Sequence, residues 1–420
     1  MRSFRAKVGL LALGGLALRL IYTFALSPDV KGIGDWYFFH WGANLIASGH
    51  GFIDPFAYVF QHRAVASAGH PPLWELLLSG VSWLGGTGSL AHRAVGCVVG
   101  TLTIVLIGLL GRRVGGPRAG LSAAAIAAVY PVLIAADGSL MSESLYGFLI
   151  AAALLLAFRL RERADARSAA ALGAVISLAA LTRSEALLLI VILALPIALT
   201  GPRRLACSAA CLAAAAIVLT PWLARNWIDF GRPVLISTND GTLLAGANCH
   251  QTYYGRDIGF WQITCIPARS AANEAVQESR WRSHGIHYAE HHVGRVPLVV
   301  LARVARTWDF FQPRRMVTYA EGRAIRADQA GVAAYWLLLP FAIAGGVLIR
   351  RRRGDLLILL TPVVLVTFQS VVGYGIPRFR HAAEITIVVL AGVAVTRLLD
   401  WRRRRAQDRA LQRRAAVAPR

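Results

Sequence analysis

Long apolar runs alternate with short arginine-rich breaks along most of the chain, and the lengths of those runs set its architecture. Stretches near 8–26, 89–111, 119–136, 142–158, 168–182, 185–200, 205–222, 332–349, 356–374 and 384–400 each approach the roughly 20 residues that a helix needs to cross a bilayer. The pattern predicts an all-α integral membrane protein with about ten transmembrane helices. Two shorter aromatic-rich stretches, near 36–49 and 71–85, fall short of a crossing. They read as two amphipathic helices on the outer surface, within the first outer loop at 27–88. Residues 223–331 are polar and form a large extracytoplasmic loop, inside which Val296 to Phe311 again looks amphipathic. The expected organisation is a seven-span module at 1–222, the loop at 223–331, a three-span module at 332–400 and a basic cytoplasmic tail at 401–420.

Charge fixes the orientation. The net charge is +23 in 420 residues, against 56% hydrophobic content and a mean hydropathy of +0.52. The arginines crowd at span ends, as at Arg112–Arg113, Arg161 and Arg163, Arg203–Arg204, Arg350–Arg353 and Arg402–Arg405. Lysine and arginine resist translocation, so these clusters mark the cytoplasmic face. Counting 71–85 as a crossing would invert spans two to seven and put most clusters outside. A basic surface of this distribution anchors a membrane protein and argues against a nucleic-acid partner. The first apolar run, behind Arg2, Arg5 and Lys7, imitates a signal peptide but is longer, so it reads as an uncleaved span. Of five cysteines, Cys97, Cys207 and Cys211 fall in spans. Cys249 and Cys265 share the large outer loop, where a disulfide is expected. No metal-binding spacing is present.

With that topology, a few groups at the outer face can carry chemistry. Asp35 opens the first loop in Gly34-Asp35-Trp36-Tyr37-Phe38-Phe39-His40. A carboxylate beside a membrane-surface aromatic helix suits a general base, and it equally suits a helix N-cap. His70-Pro71-Pro72 starts the second surface helix, whose free N–H groups would face an anion or simply solvent. Glu143 stands at the mouth of span four, as a second acid or as a carboxylate favoured by the helix dipole. Arg183, Arg378 and Arg380 occupy short outer turns where the charge rule disfavours arginine. A phosphate-bearing partner explains the exception, because guanidinium forks match phosphate; lipid headgroups would do so too. Arg225, in Pro221-Trp222-Leu223-Ala224-Arg225-Asn226-Trp227, adds a cation at the same level. One base and several cations on one membrane face fit group transfer from a lipid phosphate. A transporter or lipid flippase and a non-enzymatic scaffold remain the alternatives; transporters usually keep functional charges near the midplane.

The segments GDWYFFHWGANLIASG, HPPLWELLLS, MSESLYGFLIAAALLL, LTRSEALLL, TPWLARNW and YGIPRFRHAAE resemble, in order, the GT-C superfamily of membrane glycosyltransferases. The likeness is to the branch with protein O-mannosyltransferases and the lipid A aminoarabinose transferase. It covers residues 8 to about 250 and, more loosely, the last third. The resemblance implies an inverting transferase that moves a sugar from a polyprenyl-phosphate donor to an extracytoplasmic acceptor at a bacterial plasma membrane. By motif position Asp35 matches the catalytic base and Glu143 an acidic partner. His70, Arg183, Arg225, Arg378 and Arg380 are assigned to the donor phosphate. Relatives often pair two acids in the first loop, whereas Asp35 is followed by Trp36, so a second carboxylate must come from elsewhere. A lone carboxylate makes a divalent-metal site less secure; some GT-C enzymes use a metal and others do not, and no cofactor is expected here, a divalent ion being left open.

Overall fold

The computed structural model describes residues 2–29, 34–319 and 321–417. The chain is helical throughout, and among the described residues no strand forms beyond one bridge between Ile53 and Ala66. The first span is α1 (Arg2–Ile21), continued by a π turn at Tyr22–Leu26. The first outer loop folds as α2 (Asp35–Ala47), α3 (Pro55–Gln61) and α4 (Leu73–Trp83). Both expected surface helices are there. The short α3 between them was not anticipated; Asp54 caps it by accepting from the N–H groups of Phe56 and Ala57.

Next come α5 (Ser89–Gly115), α6 (Pro117–Val129), α7 (Pro131–Asp137), α8 (Glu143–Arg163) and α9 (Ala166–Ala180). A 3-10 turn at Ser184–Leu187 and a π turn at Ile190–Ala194 lead into α10 (Leu195–Thr200). The long α11 is Arg204–Phe230. The outer region then carries α12 (Asp240–Ala247), α13 (His250–Tyr253), α14 (Glu274–His291), α15 (Val296–Thr307) and α16 (Pro313–Met316). The chain closes with α17 (Ile325–Ile349), α18 (Arg353–Val372) and α19 (His381–Val417).

Among the described residues, seven helices are long and apolar enough to cross a membrane. The α6–α7 pair, bent by 57° at the break before Pro131, makes an eighth. Proline removes a backbone donor and clashes with the preceding turn, which accounts for the bend. The remaining two expected spans are the shorter α9 and the broken stretch 184–200. At 1.5 Å per residue, the 15 residues of α9 reach only about 22 Å, less than a bilayer core. All ten anticipated apolar segments are thus helical, but not all are full-length crossings.

The last helix is the hub. Its spanning window is 78% buried, against 28% for α11 and for α17, and it packs on α5, α6, α8 and α17. Glycines allow the close approach. A Cβ on Gly392 would lie 2.7 Å from Ala123, and one on Gly345 2.0 Å from the Leu390 carbonyl oxygen. Small residues are what let membrane helices meet backbone to backbone.

The two ends of the bundle differ in chemistry. At one end the arginine clusters are stitched by ion pairs, Arg113 to Glu162, Arg161 to Asp355 and Arg118 to Asp400. Since α8 runs from Glu143 to Arg163, Glu143 lies about 30 Å away at the other end, where the first loop and the outer helices gather.

One buried pair was not foreseen. Arg19 donates through Nε to Asp137 at 2.7 Å, and both are almost fully buried. A Cβ on Gly100 would come within 1.9 Å of the Asp137 carboxylate, so this glycine makes room for the pair. Breaking such a buried ion pair typically costs about 3–5 kcal/mol, which assigns Arg19 to holding α1 on α7.

In the outer region Cys249 and Cys265 are bonded, with S–S 1.98 Å and Cα atoms 6.0 Å apart. In unreduced protein neither sulfur is expected to take up an alkylating thiol reagent. Free labelling of both would remove the bridge. The other three cysteines are free and buried.

Candidate active site

A cavity of about 730 Å³ opens between the first-loop helices, the start of α8, the turn after α9 and the outer helices. Asp35, His70, Arg183 and Arg378 all line it. Asp35 is the first residue of α2, after Gly34 in the N-cap position; the aspartate therefore does not itself serve as the cap. Its carboxylate lies 3.7 Å from His70 Nε2 and 3.5 Å from Arg378 Nη1. His70 is wedged against the rings of Phe38 and Phe39, with centroids at 4.6 and 4.9 Å. The aromatic run of α2 thus orients the histidine toward the carboxylate one turn earlier.

Behind Asp35 lies a buried layer of alternating charge. Glu143 Oε1 is 3.1 Å from Arg183 Nη1 and 3.2 Å from Arg378 Nε. Arg183 also bonds Glu185 at 2.7 Å and faces the rings of Phe379 and Tyr146. Glu143 is 1% exposed and its second oxygen has no hydrogen-bond partner. Buried charge needs compensation, and the two arginines supply it from two different turns.

The sequence reading missed Glu321. Its carboxylate lies 2.5 Å from Arg378 Nη1 and lines the same cavity. The turn that presents it uses left-handed backbone at Glu321 (φ 42°) and Gly322 (φ 82°). A Cβ on Gly322 would sit 2.9 Å from the Ser139 carbonyl oxygen and 3.3 Å from Trp36, so the turn rests on α2. A non-glycine residue in that conformation costs about 1–2 kcal/mol. The only trace in the sequence is a Glu-Gly step inside a polar stretch. Glu321 is a candidate for the second carboxylate that the first loop lacks.

Two expected cations lie elsewhere. Helix α11 continues past Pro221 to Phe230, so Arg225 sits on a helix rather than in a loop. Its guanidinium donates to the carbonyls of Ser67 and Phe52, pairs with Asp229 at 2.8 Å and stacks on Trp222. Those contacts tie α11 to the first loop, and Arg225 does not line the cavity. Arg380 points away as well. It bonds Asp309 at 2.8 Å and Glu384 at 2.5 Å, and lies 3.6 Å over the Tyr335 ring, all buried.

Burial and three neighbouring groups act on the Asp35 carboxyl. Burial in the walled cavity pushes its pKa up, but His70, Arg378 and Arg183 outweigh it and hold it well below the usual carboxylate range. The sign follows directly. Depressed affinity for the proton keeps Asp35 ionised from neutral pH down past its ordinary value near 4. Glu321 goes the other way, because burial and the nearby Asp35 raise it more than Arg378 lowers it. An acid limb in kcat/KM that arises from Asp35 is therefore expected only below about pH 4. A limb well above that pH is expected to belong to Glu321 and to vanish in Glu321→Gln; its persistence there would reassign the titration to another group.

No group of three or more histidine, cysteine, aspartate or glutamate side chains suited to a metal occurs among the described residues. Asp35 and Glu321 both turn toward Arg378, whose charge stands where a shared cation would sit. Two carboxylates already turned to one guanidinium do not fit a divalent ion.

Comparison with known proteins follows this geometry. Residues 69–225 match the family described as dolichyl-phosphate-mannose-protein mannosyltransferase. The chain superposes on the archaeal oligosaccharyltransferase AglB from Archaeoglobus fulgidus, in complex with an inhibitory peptide and a dolichol-phosphate, with TM-score 0.59 over 99% of its length at 16% identity. The chain shares the fold of the matching part of that oligosaccharyltransferase. The chain covers 52% of that AglB structure, so it spans about half the length of that relative. A second AglB structure from the same organism, a complex with Zn and sulfate, aligns with TM-score 0.58 at 16% identity, over 98% of this chain and 52% of that one. ArnT from Cupriavidus metallidurans bound to undecaprenyl phosphate aligns at 0.44 and 14% identity, over 92% of this chain and 77% of that one. No curated protein matches the sequence. The stretch that matches the mannosyltransferase family includes His70, Glu143, Arg183 and Arg225, while Asp35, Glu321, Arg378 and Arg380 lie outside it.

Proposed function

We propose that this protein is an inverting glycosyltransferase that moves a sugar from a polyprenyl-phosphate donor to a hydroxyl or amine acceptor. The reading is carried by one observation: a single cavity that gathers the Asp35 carboxyl beside Arg378, Arg183 and His70. Asp35 takes the proton of the acceptor as its oxygen or nitrogen attacks the anomeric carbon. The bond from that carbon to the phosphate oxygen breaks on the opposite face, which inverts the centre. The phosphate leaves with the bonding electrons on its lipid carrier. Arg378 and Arg183 stabilise the charge that develops there, the kind of preorganised electrostatic help that contributes most to such steps. Glu143 keeps the two guanidinium groups in register, and Glu321 gives up Arg378 to the incoming phosphate.

The basic end of the bundle faces the cytoplasm by the charge rule, so the cavity opens on the extracytoplasmic side of what we read as a bacterial plasma membrane. The outer helices at 223–331 contribute a wall of the cavity and are the natural place for acceptor selection.

Purified protein in proteoliposomes, given a radiolabelled mannosyl-phospho-polyprenol and a detergent extract of envelope glycans, lipids and proteins, should release polyprenyl phosphate as label enters a product. Uptake of the lipid across the vesicle without any labelled product would instead establish a flippase.

A further inference from the structure

We infer that Tyr374 and Trp261 form a stacking platform for the pyranose ring of the donor sugar, a subsite that rests on the transferase reading above. Both rings line the same cavity as Asp35 and Arg378. Their centroids are 6.3 Å apart and their planes tilted by 34°, and they are the only tryptophan–tyrosine pair among the lining residues. Each ring is held from behind. Tyr374 packs on Phe379 at 4.7 Å and Phe260 at 6.0 Å, in a small apolar cluster with Met316 and Ile376. Trp261 donates from Nε1 to the Thr242 carbonyl at 3.1 Å. It lies flat on α12 because position 246 is glycine: a Cβ there would come within 2.1 Å of the indole nitrogen. Both rings are half-buried, leaving the rest of their surface to the cavity.

The placement names the ligand. Tyr374 leans on Phe379, the chain neighbour of Arg378, and so begins where the proposed phosphate cation ends. A sugar joined to phosphate through one bridging oxygen must put its ring within a few ångström of that cation. A pyranose presents one face of C–H groups, apolar and weakly positive, while its hydroxyls point outward. Aromatic faces carry the complementary negative charge of the ring quadrupole; of the other two aromatic residues that line the cavity, Phe39 lies against His70 and Phe379 against Tyr374 and the arginines, and the rest of the apolar lining is aliphatic. Stacking of this kind also leaves the hydroxyls free to be read by the polar walls.

The test compares two lipids on the full-length protein in detergent, undecaprenyl phosphate and the mannosyl-phospho-polyprenol. Wild type should prefer the sugar-bearing lipid. Trp261→Ala should lose about ten-fold in affinity for it, bind the sugar-free phosphate within two-fold of wild type, and keep the acceptor KM. Trp261→Phe should recover most of the loss, and Tyr374→Leu, which keeps the supporting cluster filled, should reproduce it at an unchanged melting temperature. Equal weakening toward both lipids, or none, overturns the platform. A raised acceptor KM with donor affinity intact overturns the donor assignment and gives the ring contact to the acceptor. If wild type itself does not distinguish the two lipids yet transfers sugar, the platform falls alone; if it transfers nothing, the transferase reading falls with it.

Discussion

Replacing Asp35 by asparagine is expected to lower kcat by about 10²–10⁴-fold, the usual contribution of a positioned general base, while the chain stays folded. The structure separates the two effects. The Asp35 side chain is 43% exposed to the cavity, and its charge partners are shared. Without it, Arg378 keeps Glu143 and Glu321, and His70 keeps its seat between Phe38 and Phe39. Asparagine fills the same volume at the first position of α2 and needs no new space. Turnover of the lipid-linked donor and thermal unfolding in detergent, measured on one preparation, check both halves. Wild-type turnover in the variant would remove Asp35 from the reaction.

Arg380→Met should do the reverse and cost the fold rather than the chemistry. Its guanidinium stands between Asp309 and Glu384, each 0% exposed in its side chain, and Tyr130 donates to the same glutamate at 2.9 Å. Removing the cation leaves two buried carboxylates facing a methionine, a change that typically costs about 3–5 kcal/mol. Against a total stability of about 5–15 kcal/mol, that predicts a large drop in melting temperature or no insertion at all. Arg378→Met, two residues earlier, should lose less stability than the 380 variant, because Glu143 keeps Arg183 and Asp35 keeps His70, and raise the donor KM about ten-fold or more, since charge-assisted bonds to phosphate are lost. If the 380 variant melts like wild type, the strut assignment is wrong. If the 378 variant binds donor normally, the phosphate assignment is.

That contrast also shows where sequence reasoning stops. Pro377–Arg380 is a 3-10 turn, and with three residues per turn positions 378 and 380 project about two-thirds of a turn apart. Two arginines that look equivalent in PRFR therefore serve opposite sides of one wall, and nothing in their spacing says which faces the cavity. Arg225 failed to reach the site for a related reason. Pro221 reads as a helix end, yet α11 continues two turns beyond it, because the freed backbone position is tolerated in a membrane helix. Glu321 was hidden in the other direction: a left-handed turn whose Gly322 rests on Trp36 of α2, 286 residues earlier in the chain, is a long-range contact without a local pattern.

What the sequence determined by itself is the membrane class, the helical segments, the two surface helices and the gathering of the arginine clusters at the ends of the spans. Those follow from run length, amphipathicity and charge, which are local properties that the bilayer reads one segment at a time. Only the tertiary structure decided that the last helix runs through the centre of the bundle, that Arg19 and Asp137 meet inside it, and which carboxylates stand beside which guanidinium groups. Such pairings depend on helix phase and on close approach at glycines, and they are fixed by packing between segments far apart in the chain.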